Sequence, residues 1–330
     1  MQATITEVAK LAGVSIATVS RVLNESSYVS EETTNKVMKA IAELGYVPNS
    51  IARSLKEQSS FAIGITASDL SVSFFPEVIK RIEEEMLPLG YATMVSSTFD
   101  QSETEKIVLE QMLARRVDAL LVNSTAYNEE MLYSRHVPII FYDRRPLNAR
   151  FPAVYMDKAK SMKLALKHLT EKGHEKIMLV TGSRNLNSNI DRYLGFQQFI
   201  AENGSAGENF EYRFGKFSYE DGITAIDDII KMPIDIRPTA VITGSIAITA
   251  GLMAGCQKYG LHIPGDLAII SSGDFIYSPI SDMRLTYLDD RTDVLSSELV
   301  TLLKRYINHE DVPRNYEVKI EPLLHLGNTT

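Results

Sequence analysis

Apolar positions over the first forty-five residues recur at helical spacing in three short bursts, separated by polar residues that cap helices. Thr4 stands three residues before Glu7 and just ahead of Val8, Ala9 and Leu11, a capping box that predicts a helix opening at about Ile5 and broken by Gly13. Ser15 then caps a second helix, Ile16 to Asn24, so soon after the first that the two must cross steeply at a tight turn. At 100° per residue, Val19, Val22 and Leu23 fall on one face of that helix, and Ala17, Ser20, Arg21 and Asn24 on the other. Ser30, Glu31 and Glu32 open a third helix with acids at its positive end; Val37, Ile41 and Leu44 give it an apolar stripe, and Gly45 ends it. One face of the second helix packs and the other stays free to hydrogen-bond. The pattern is that of a helix-turn-helix.

From Phe61 onward the period changes to short β-rich runs alternating with amphipathic helices, the mark of parallel sheets covered by helices on both faces. Strands are predicted at 61–67, 91–96, 119–123 and 139–143, with helices at 76–87 and 104–115 between them. A second series follows, with strands at 177–181, 212–215, 240–243 and 267–271 and helices at 161–172, 189–203, 219–231 and 246–259. The segments 285–288, 294–308 and 316–320 are predicted to return the chain to the first lobe. The expected fold class is therefore a small all-α headpiece (1–48), a short hinge helix and linker (49–60), and a two-lobed α/β domain (61–330).

Composition narrows the function more than it shapes the fold. Residues 1–60 carry six basic and six acidic side chains, so the headpiece is neutral and the rest holds the net charge of -8. That is not the basic footprint of strong nonspecific nucleic-acid binding, and two headpieces acting together are needed for useful affinity. A single cysteine, Cys256, excludes a disulfide framework and a multi-thiolate zinc site. No apolar run reaches the roughly 18–20 residues that span a bilayer, and the N-terminus does not read as a secretion signal, which places the protein in the cytoplasm with no membrane partner. The histidines at 136, 168, 174, 262, 309 and 325 lack metal-ligand spacing, and neither a nucleophile elbow nor a phosphate-binding loop occurs. No catalytic residues, metal or cofactor are expected, and the protein is not read as an enzyme.

Val14-Ser15-x-x-Thr18-Val19-Ser20-Arg21-Val22-Leu23-Asn24, then Tyr28-Val29-Ser30, Gly45-Tyr46-x-Pro48-Asn49 and Ala52-Arg53-Ser54-Leu55, together resemble the DNA-binding headpiece and hinge of the LacI/GalR family of bacterial transcription repressors. The resemblance implies that the second helix lies in the major groove, with Ile16, Ala17 and Arg21 at base edges. Ser15, Thr18, Ser20 and Asn24 then lie nearer phosphates, and Thr4, Tyr28, Asn49, Ala52 and Arg53 complete the interface. Leu55 is the residue expected to wedge between base pairs when two hinges pair over the minor groove. The chemistry agrees, since arginine can donate a bidentate pair to guanine and Ile or Ala can pack on a thymine methyl.

The same resemblance points to effector-contacting segments beyond the carboxyl ends of the strands, where open parallel sheets bind ligands. Phe74 or Phe75 is expected to supply an aromatic wall, with Asp143, Arg192 and Asp274 gripping ligand hydroxyls. Ser245 stands where many relatives carry an Asn or Asp, which leaves the ligand's identity open. A sugar or polyol fits this set best; a phosphosugar, a nucleobase or a corepressor protein are the alternatives. The resemblance further implies a homodimer on a pseudo-palindromic double-stranded operator. Relatives that form tetramers carry an extra leucine-rich helix, and Gly327-Asn328-Thr329-Thr330 leaves no room for one, so no tetramer is expected.

Overall fold

A computed structural model of the chain describes residues 3–24, 27–46, 59–125, 132, 137–146, 150–203, 210–274 and 282–330. It divides into two compact units, Met1–Ser60 and Phe61–Thr330. The hinge residues Asn49, Ala52, Arg53 and Leu55 lie outside the described residues.

The first unit holds α1 (Ile5–Ala12), α2 (Ile16–Asn24) and α3 (Glu31–Leu44). The Thr4–Glu7 capping box is formed in both directions, and Gly13 and Gly45 close α1 and α3 in the left-handed conformation that glycine adopts without strain. Val8, Val19 and Val37 are fully buried, with Ala9 and Ala40 beside them, and Val22, Leu23, Ile41 and Leu44 pack around this centre. So small a core tolerates little loss.

The second unit is built on two six-stranded sheets. The first contains β1 (Ala62–Ala67), β2 (Ala92–Ser97), β3 (Ala119–Val122), β4 (Ile139–Tyr142), β5 (Ala153–Met156) and β11 (Glu317–Ile320), in the order β11-β5-β4-β3-β1-β2 and parallel throughout. The helices α4 (Phe74–Met86) and α5 (Ser102–Ala114) belong to this lobe. The second sheet contains β6 (Ile177–Thr181), β7 (Glu211–Phe214), β8 (Ala240–Thr243), β9 (Ala268–Ser272), β10 (Thr286–Asp289) and β12 (Leu323–His325), in the order β12-β10-β9-β8-β6-β7, with only β12 antiparallel. Its helices are α6 (Lys158–Glu171), α7 (Asn187–Asn203), α8 (Tyr219–Lys231) and α9 (Ile246–Tyr259). Finally, α10 (Thr292–Ile307) packs on the first sheet, its Leu295, Leu299 and Leu303 buried with Ile65, Ile82 and Tyr142.

Each sheet is apolar on both faces because helices cover both, which is why its central strands read as unbroken Ile, Leu and Val runs. The α6–α7 contact is close enough that a Cβ on Gly195 would collide with the backbone of Ala159. The chain crosses between the lobes three times, after Met156, after Asp289 and after Ile320. Two expectations are corrected by this topology. The strand at 153–156 was not foreseen, because four residues after a proline carry too short a pattern to stand out. The segment near 285–288 does not return the chain to the first lobe; β10 lies inside the second sheet between β9 and β12, and the return begins only at Asp290.

Candidate DNA-reading face and effector cleft

In the first unit, Ser15 holds the start of α2, its Oγ accepting the Thr18 amide at 3.1 Å and meeting Thr18 Oγ1 at 2.9 Å. Val19 anchors the inner face, which leaves Ile16 (48% exposed), Ala17 and Arg21 on the surface and Ser20 half-buried between. These exposed residues sit in the first and second turns, so one apolar and one cationic group share a single helix face. Thr4 is already engaged: its amide and hydroxyl both donate to Glu7 Oε2, at 2.7 and 2.9 Å, which holds the Glu7 carboxyl below its ordinary value. Tyr28 is almost fully exposed, at 94%. Asn24 ends α2, and its side chain lies outside the described residues.

In the second unit the strand ends of the two sheets and the crossovers bring a set of charges together. Asp143 follows β4 with a positive φ of 55°, which takes its side chain out of the strand's alternation. Its carboxylate meets Lys158 Nζ at 3.6 Å and accepts from Asn123 Nδ2 at 3.3 Å. Lys158, the first residue of α6, is buried and also pairs with Asp290 at 3.2 Å. Arg192 on α7 is buried too, its guanidinium donating to Asn189 Oδ1 at 3.0 Å and to the Gly244 carbonyl at 3.4 Å. Burial pushes its pKa down, and Asp143 and Asp290 oppose that shift, so all these groups share one electrostatic neighbourhood. Lys158, Ser161, Arg192, Ser272 and Asp290 line a cavity of about 10 Å³, room for roughly one water.

Other expected contacts are placed differently. Phe75 turns into the first-lobe core, edge-on to Tyr142 with ring centroids 6.3 Å apart, and is 3% exposed; it is a core residue, not an open aromatic wall. The half-buried Phe74 packs edge-on against it. Ser245 caps α9, accepting the Ile248 amide at 3.3 Å while its Oγ donates to the Phe217 carbonyl, so its hydroxyl is committed locally. Asp274 follows Gly273, whose φ of 82° turns the chain; burial raises the Tyr287 hydroxyl above its ordinary value, and the nearby Asp274 and Asp289 add to this; residues 275–281 lie outside the described residues. Among the described residues no His, Cys, Asp and Glu cluster could hold a metal ion, and no helix is long and apolar enough to cross a membrane.

Sequence reasoning did not single out Asn123, Lys158, Asn189, Phe217 or Asp290, and it placed Arg144 in a cleft segment beside Asp143 without giving it a role. A signal existed for some of them, since Asn123 and Asp290 each end a hydrophobic run, where a parallel strand delivers its next residue to the cleft.

Residues 4–49 match the family model of bacterial regulatory proteins, lacI family, and residues 60–301 match that of the periplasmic binding proteins and sugar binding domain of the LacI family. The chain belongs to the LacI family. The HTH-type transcriptional repressor PurR of Escherichia coli is 32% identical to this LacI-family chain over 322 residues, which cover 96% of this chain and 94% of PurR. A lac repressor dimer solved with operator and the anti-inducer ONPF superposes with a TM-score of 0.87 at 25% identity, over 100% of this chain and 99% of that one. The CelR–cellobiose complex shares the fold, with a TM-score of 0.71 at 22% identity over 100% of both chains. The protein is thus a DNA-binding LacI-family repressor with an effector-binding domain of the periplasmic-binding-protein type, and its relatives are repressors rather than enzymes.

Proposed function

We propose that this repressor acts in the cytoplasm as a homodimer on a pseudo-palindromic operator, and that a small uncharged sugar or polyol in the cleft of residues 61–330 controls its affinity. The carrying observation is the mixture of charged and neutral hydrogen-bonding groups in the cleft: Lys158 is shared by the carboxylates of Asp143 and Asp290, and the Arg192 guanidinium bonds the neutral oxygens of Asn189 and Gly244. Such a cleft offers carboxylate and guanidinium partners to ligand hydroxyls, and the lacI-type sugar-binding model matched at 60–301 supports the same class. The lac repressor solved as an operator-bound dimer supports the assembly. On this reading the headpiece is 1–48, the hinge 49–60 and the effector domain 61–330. Thr4, Ser15, Thr18, Ser20, Asn24, Tyr28, Asn49, Ala52 and Arg53 contact the backbone, Leu55 wedges the minor groove, and Ile16, Ala17 and Arg21 read bases.

Arg21→Ala is expected to cost about 1–3 kcal/mol in operator affinity and to relax preference at one base pair per half-site. Gel shifts over an operator set with single base changes check this, and a loss equal across all operators would make Arg21 a phosphate contact instead. The effector class is tested by thermal shift over neutral sugars, their phosphates and nucleobases. A ligand at 100 times its Kd adds about 2.7 kcal/mol of stability. A neutral sugar is expected to raise Tm, and a rise with phosphates or nucleobases alone would overturn the sugar reading.

A further inference from the structure

Two residues with positive φ meet where the lobes of the second unit face each other. Asp143 at 55° directs the next residue, Arg144, out of the first sheet; Phe217 at 63° lies between β7 and α8 of the second lobe. A left-handed conformation is tolerable for aspartate and an outlier for phenylalanine, which persists only where packing holds it. Here Ser245 Oγ donates to the Phe217 carbonyl at 3.3 Å, and the ring lies so close to Gly182 that any Cβ there would overlap it. The Phe217 ring in turn receives the Arg144 guanidinium of the other lobe, 5.6 Å from its centroid, with Arg192 of its own lobe 6.0 Å away. The Arg144 side chain is only 10% exposed and is also paired with Asp100 of its own lobe.

We propose that Arg144 and Phe217 are positioning residues that clasp the two lobes in the closed arrangement. A guanidinium held over a ring away from water gains more than an exposed one, so opening the cleft requires Arg144 to leave the ring and be rehydrated. Asp143 immediately precedes Arg144, so a group that binds Asp143 acts on the clasp through one backbone turn.

The test measures interlobe distance in the unliganded full chain. Spin labels at Ile107→Cys in α5 and at Ile234→Cys in the second lobe are both on exposed sites, 53% and 82%. Native Cys256 stays unlabelled because it is buried and its thiol is pushed up to about 11. Labelled chain is diluted into unlabelled chain so that only intramolecular pairs are read. Phe217→Leu and Arg144→Lys, the latter keeping the charge beside Asp100, should each lengthen and broaden the distance distribution, while Phe217→Tyr keeps the parental one. Helical circular dichroism checks folding, and if Phe217→Leu is unfolded, the distances in Arg144→Lys decide the matter. Parental distances in every folded variant overturn the clasp, as does opening by Phe217→Tyr to the same extent as by Phe217→Leu.

Discussion

Val19→Asp is expected to abolish operator binding while leaving the thermal unfolding of residues 61–330 unchanged. Val19 is fully buried at the centre of the headpiece, against Val8 and Val37, and no described polar group in that core could pair with a carboxylate. Burying an unpaired charge costs several kcal/mol at least, which exceeds what so small a core can supply. The second unit has its own cores and its own sheets, so its transition should not move. Differential scanning calorimetry beside a gel shift separates the two results. The comparison with Arg21→Ala is the informative one: two positions apart on the same helix, one substitution removes the fold of the headpiece and the other only its preference at a base pair. Operator binding by Val19→Asp at parental affinity would show that α2 packs through another face.

The headpiece was nearly all legible in the sequence because its signals are local. Thr4, Ser15 and Ser30 hydrogen-bond three residues ahead, and Gly13 and Gly45 act at single φ angles. Interactions of that range survive in a string of letters. The body was legible as alternating strands and helices, but not in the assignment of β10 or the existence of β5, since strand partners lie far apart in sequence and a four-residue run carries little pattern. The cleft was the least legible part. Asp143 and Arg192 were foreseen and are brought into one neighbourhood, whereas Lys158 lies ahead of the helix expected at 161–172 and no local pattern marks it. Its role comes from the crossover that carries the chain into α6 beside Asp290, a tertiary fact. Phe75 misled for the opposite reason: its place at the start of α4 suggested an open loop, and the helix turns it inward.

Lys158→Met is expected to lower the stability of the second unit by about 2–4 kcal/mol, somewhat less than the range for breaking a fully buried pair because water reaches one partner. The lysine side chain is 8% exposed, Asp143 is 16% exposed and Asp290 28%, so the two carboxylates it joins are neither free nor well hydrated. Removing the cation leaves both carboxylates without the ammonium they share, beside a cavity, lined by Asp290, with room for roughly one water. The loss should appear as a drop of roughly 5–12 °C in Tm for a unit of this size. Adding Asp290→Asn to Lys158→Met should recover part of it, because the repulsion then falls, and the double-mutant cycle reads that coupling directly. On the proposed effector reading the same variant should also weaken a neutral sugar, since Asp143 loses the partner that orients it. A loss under about 1 kcal/mol with additive effects in the cycle would mean that Arg144 and Arg192 alone balance the cleft.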